Sequence, residues 1–163
     1  MDQFHVFADG LTRNWEMLKA TLADFSDADL IVRPCPGANH AAWQLGHLCN
    51  AESGMVRSFD PQAAAKLPEG FDKKFNRETA ANDDPKFFGT KAELLGQLEK
   101  VRMATIAWVK TLKPADLDKP SSERIARMAP TLGHLLGLIP THFSMHMGQM
   151  QVIRRKLGKP VIF

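Results

Sequence analysis

Apolar residues recur at three- and four-residue steps over four separate stretches of this chain, and no stretch carries a convincing two-residue alternation. In the first, Phe4, Phe7, Leu11, Trp15, Leu18 and Leu22 fall on one stripe, which predicts a helix from Gln3 to about Phe25. Ser26-Asp27-Ala28-Asp29-Leu30 and Pro34-Cys35-Pro36-Gly37 then break the chain, and Asn39 stands where it can cap a second helix, from about Ala41 to Phe59. Leu94, Leu95, Leu98, Val101, Ile106, Val109 and Leu112 give the core face of a third, from about Lys91 to Leu112, which Pro114 ends. A fourth runs from Thr131 to about Leu157 and stops at Gly158 and Pro160. Asp60 to Thr90 is rich in Pro, Gly, Asp, Asn and Lys with scattered Phe71, Phe75, Phe87 and Phe88, and reads as a long connection pinned by aromatics. The expected fold is therefore all-α: a four-helix bundle with a long crossover between its second and third helices, in one domain over residues 1–163.

Two features qualify this plan. Pro140 falls inside the fourth helix and leaves one backbone carbonyl without its donor, either as a tolerated kink or as a bend that widens a cavity. The chain also echoes itself: Ala42-Trp43-Gln44-Leu45-Gly46-His47-Leu48 matches Ala129-Pro130-Thr131-Leu132-Gly133-His134-Leu135, and each segment follows an acidic turn, Asp27-Ala28-Asp29-Leu30 and Pro114-Ala115-Asp116-Leu117. Two related helical hairpins account for that echo, as does chance similarity between short helices.

Composition removes several function classes. The formal charge of +3 is spread along the chain without a dense Lys/Arg block, so nucleic-acid binding has no support. The apolar runs are short, and Met1-Asp2-Gln3-Phe4-His5 has neither a basic nor an apolar leader pattern, which gives the expectation of a cytoplasmic protein without membrane association. Cys35 and Cys49 form no pairing pattern and are expected as free thiols, with Cys49 a small apolar packing residue. There is no Gly-rich phosphate loop, zincin element, Cys-x-x-Cys pair or nucleophile elbow, and no general base can be assigned.

What chemistry remains lies in the histidines. His142 and His146 stand four apart in the fourth helix, so both imidazoles leave one face a turn apart. Such a pair can share a divalent ion if a third ligand arrives from elsewhere, and His47, which interrupts the apolar pattern of the second helix, is the candidate. The alternative for a bare histidine pair is three ordinary surface or core histidines. Gln149 follows His146 by three residues and can either hydrogen-bond a ligand at the metal or serve as a packing amide. Trp43, a turn before His47, is read as core that could also wall the site. His134 is rotated off the His142 face and is read as structural or surface, while His5 and His40 lack ligand spacing and are expected to face solvent. Met145, Met147 and Met150 are read as core filling.

Trp43-Gln44-Leu45-Gly46-His47-Leu48, followed much later by His142-x-x-x-His146-x-Gly148-Gln149 and the Gly158-Lys159-Pro160 ending, resembles the DinB/YfiT-like superfamily of metal-binding bundles over nearly the whole chain. The resemblance implies that His47, His142 and His146 bind a divalent ion, typically zinc or nickel, with water in the remaining positions, and that the chain forms homodimers. It further implies a small-molecule substrate and a low-molecular-weight thiol as cofactor, since several characterised members move thiols such as bacillithiol or mycothiol onto electrophiles, or use them to isomerise a substrate. The expected function is thus a metal-dependent, small-thiol S-transferase. The alternatives are a metal-dependent hydrolase and a stress-linked dimeric bundle whose metal only ties two helices together.

Overall fold

A computed structural model describes residues 2–162. Four long helices carry the fold: α1 (Gln3–Leu22), α2 (Ala41–Arg57), α3 (Lys91–Val109) and α4 (Leu132–Lys156). They close into a bundle in which α2 packs on α3 and α4, and α1 packs on α3 and α4. Among the described residues no strand forms beyond a single bridge between Pro120 and Thr131.

Local chemistry sets where these helices begin. Asp2 accepts from the Phe4 and His5 amides at 3.0 Å and so caps α1. At α3, Thr90 and Glu93 form a capping box: the Thr90 hydroxyl accepts the Glu93 amide, and the Glu93 carboxylate accepts the Thr90 amide at 2.8 Å. The cap of α2 differs from the sequence reading by one residue. It is His40, not Asn39, whose Nδ1 accepts from the Trp43 amide at 3.1 Å. His40 is therefore fully buried rather than solvent-facing.

The crossover is not structureless. It contains one-turn helices at Phe71–Lys74 and Pro85–Phe88 and a 3-10 turn at Arg77–Thr79. Phe75 and Phe88 are buried and act as its apolar pins, whereas Phe87 is exposed. Hydrogen bonds to its backbone do the rest: Trp43 Nε1 donates to the Asn76 carbonyl at 2.9 Å, His40 Nε2 to Asn82 at 3.0 Å, and Arg33 to Ala80 at 2.8 Å. The Phe75 ring lies so close to Gly46 that a Cβ there would approach a ring carbon to 2.1 Å. Glycine at this position is thus what lets the crossover seat on α2, one residue before His47.

The core is layered. One apolar cluster gathers Trp15, Leu48, Leu98, Val101, Phe143 and Met147, and a second gathers Leu11, Val56, Ile106, Val109 and Ile139. Along the helices the two clusters meet between Leu11 and Trp15, Cys49 and Val56, Val101 and Ile106, and Ile139 and Phe143, and in those intervals α2 and α3 contribute the buried polar side chains Glu52, Ser53, Arg102 and Thr105. Arg102 Nη2 stands 2.8 Å from Glu52 Oε2, and its guanidinium lies over the Phe143 ring at 4.2 Å. α4 continues as helix through Pro140. Missing N–H there leaves the Leu136 carbonyl without its usual donor.

Candidate metal centre

α2 and α4 run side by side on the histidine side of this core, and α4 presents His142 and His146 from successive turns toward His47. The imidazoles meet through one kind of atom. His142 Nε2 is 3.3 Å from His47 Nε2 and 3.2 Å from His146 Nε2. The rings do not stack on one another: the His142 and His146 planes cross at 87°, those of His47 and His142 at 70° and those of His47 and His146 at 51°. Three Nε2 atoms thus point at a common region rather than lying face to face. His47 stacks instead on the indole of Trp43, with an interplanar angle of 8° and centroids 4.9 Å apart, so Trp43 is both core and one wall of the site.

Each imidazole is half-buried, and burial disfavours the charged form. His47 is lowered to about 4 by desolvation and then by the charge of His142. His146 is lowered to about 3 by desolvation and then by its two neighbours, and His142 is lowered by desolvation. All three are neutral at pH 7, the state in which imidazole is a ligand. Gln44, fully buried on α2, completes the cluster: its Oε1 lies 2.9 Å from His146 Nδ1 and its Nε2 donates to the Asn39 carbonyl at 2.6 Å.

The donor set fits a divalent ion. Metal–imidazole bonds of about 2.1 Å at a tetrahedral angle separate two ligand nitrogens by roughly 3.4 Å, close to the 3.2 and 3.3 Å that His142 makes with its two neighbours, and all three ligand atoms lie within 4.8 Å of one another. Without an ion, His142 Nε2, with either one proton or one lone pair, stands against two imidazole nitrogens at once and can pair well with only one of them. No fourth histidine, cysteine or carboxylate joins the group among the described residues. Cys49 is buried, with its thiol pushed up by burial, and packs in the apolar core as expected.

The remaining candidates fall elsewhere. Gln149 does not reach the histidines: its side chain is exposed and makes no hydrogen bond to them among the described residues, because position 149 turns toward the outer side of α4. The amide at the cluster is Gln44. His5 and His134 are exposed, the latter hydrogen-bonded to the Thr131 hydroxyl at 2.9 Å. Met147 and Met150 fill the core, whereas Met145 is exposed. Glu52, five residues past His47 on α2, turns inward and forms the buried pair with Arg102.

With helices, crossover and histidine cluster in this arrangement, the chain defines a bundle built around a three-histidine group, and comparison with known proteins places it. Residues 10–150 match the model of the DinB superfamily, and the chain belongs to that superfamily. Among solved structures it is similar to a conserved protein from Enterococcus faecalis, with a TM-score of 0.76 and 19% identity over 98% of this chain and 99% of the other. That likeness establishes the shared fold. No curated protein matches the chain. Among the described residues no helix is long and apolar enough to cross a membrane.

Proposed function

We propose that this protein holds one divalent ion, zinc or nickel, on His47, His142 and His146, and that it is a metal-dependent transferase moving a low-molecular-weight thiol onto a small electrophilic substrate. The observation that carries this reading is the incomplete ligand set: three imidazole nitrogens converge and no fourth protein ligand joins them among the described residues. Structural zinc sites close with four protein ligands, whereas catalytic sites keep a position open. When bound there, the ion would supply Lewis acidity and lower the pKa of a thiol or water.

The chain's own residues serve that chemistry in definite ways. Burial keeps the imidazoles neutral, so protons compete little for Nε2 near neutral pH. Trp43 covers one face of His47 and restrains its ring. In the overall transfer the thiol sulfur forms a bond to the electrophilic carbon as the bond from that carbon to its leaving group breaks; the leaving group keeps the bonding electron pair, and the thiol proton passes to it or to solvent.

The test is a screen of zinc- and nickel-loaded protein with bacillithiol or mycothiol against small electrophiles, with His142→Ala as the control. Metal-dependent thioether formation that the variant lacks supports the reading. Hydrolysis without thiol would replace it with a hydrolase. A sharp fall in melting temperature on metal removal, with no turnover of any substrate, would replace it with a purely structural metal.

A further inference from the structure

His146 differs from its two companions in one respect. Its Nδ1 has a protein partner, Gln44 Oε1 at 2.9 Å, while His47 and His142 make no Nδ1 hydrogen bond among the described residues. The orientation of the Gln44 amide is set by chemistry rather than by appearance. Its other terminal atom lies 2.6 Å from the backbone carbonyl of Asn39, which can only accept, so the NH2 group must face Asn39 and the oxygen must face His146. A carbonyl oxygen opposite Nδ1 in turn requires a proton on Nδ1. The single proton of the neutral imidazole is then spoken for, and Nε2 is left as a lone pair.

The Asn39 carbonyl is itself well fixed. The next residue, His40, is fully buried, accepts the Trp43 amide at 3.1 Å and donates to the Asn82 carbonyl of the crossover at 3.0 Å. Gln44 is also fully buried, so water does not compete for its amide.

We propose that Gln44 is a positioning residue that fixes His146 as its Nδ1–H tautomer and so presents Nε2 to the cluster, making His146 the preorganised member of the three. Its metal-affinity consequence rests on the metal reading above, but the tautomer assignment does not.

The test has two arms. In metal-free protein labelled with 15N-histidine at pH 7, long-range 1H–15N correlation spectra should show His146 as Nδ1–H with an unprotonated Nε2. Gln44→Leu should populate both tautomers, and Gln44→Glu, which when protonated can donate to Asn39 and accept from His146, should restore the wild-type pattern. In the second arm, zinc or nickel affinity measured by competition with a chelating dye should fall about 10- to 100-fold in Gln44→Leu and recover in Gln44→Glu. Melting curves of metal-free protein show whether each variant is folded. An Nε2–H pattern for wild-type His146, or a Gln44→Leu variant with unchanged tautomer and affinity, would overturn the proposal. The expected tautomer in a protein that binds neither metal would overturn the metal reading and leave the role of Gln44 supported.

Discussion

α2 carries two polar clusters less than two turns apart, and they are built on opposite rules. At His47 the groups are neutral, half-exposed, and aimed so that like atoms converge. At Glu52 they are formally charged, fully enclosed, and aimed so that unlike charges meet. The second cluster is complete within the protein as a charge balance, although among the described residues Glu52 Oε1 and Arg102 Nε and Nη1 have no hydrogen-bond partner and Nη2 meets Glu52 as an ion pair only. The first is left open: three imidazole nitrogens converge, and no carboxylate faces them among the described residues, an arrangement that a cation would complete. A buried polar group therefore signals a site when its partners are of its own kind, and architecture when they are of the opposite kind.

The sharpest way to break this contrast is to remove one member of the ion pair. Glu52→Ala or Arg102→Ala strands a buried charge and should cost about 3–5 kcal/mol, read as a shift in denaturant midpoint. His142→Ala in metal-free protein should leave that midpoint nearly unchanged, since no charge is stranded there; a loss as large as that of Glu52→Ala would erase the distinction.

pH separates the clusters next. The unfolded histidines take up protons below about pH 6.5, whereas native His47 and His146 do so only near 4 and 3, so the unfolded state binds more protons in that window. Stability of metal-free protein should be full above about pH 6.5 and fall as pH drops toward 4, by at most about 1.4 kcal/mol per pH unit for each histidine. A His47→Gln/His146→Gln double variant should flatten the slope in urea titrations from pH 7 to pH 5; an unchanged slope would assign it to other groups.

Gly46→Ala forces a methyl against the Phe75 ring and should destabilise by about 1–3 kcal/mol. Because the same contact seats the crossover beside His47, tryptophan fluorescence from the Trp43 environment should shift as well. The smallest effect is expected from replacing both ion-pair partners at once: Glu52→Leu/Arg102→Met should lie within about 1.5 kcal/mol of wild type, since no charge is left uncompensated. A double variant as unstable as the singles would show that the pair is worth more than its mutual neutralisation.

How much of this was legible in the sequence follows from which residues act through spacing alone. The four long helices were, because their apolar periods are unbroken by competing signals, and the three converging histidines were, because four-residue spacing fixes a shared face and His47 stood out in an apolar run. Glu52 was legible but unread: it sits three residues after Cys49 and four before Val56, inside the apolar stripe, and Arg102 holds the matching place between Leu98 and Thr105. A charge of each sign at core positions of two helices is a signal of a buried pair. Gln44 was not legible, because its role depends on a backbone carbonyl at the Asn39 turn. The choice between Asn39 and His40 as cap turned on a single residue of helix onset, which composition does not resolve.

That the three histidines form one metal site is tested most directly by metal content per chain. Protein purified without an affinity tag, dialysed against zinc or nickel and then against buffer, should retain one ion per chain by elemental analysis, while His142→Ala, equally folded by circular dichroism, should retain none. No metal in the wild type, or equal metal in both, would contradict it.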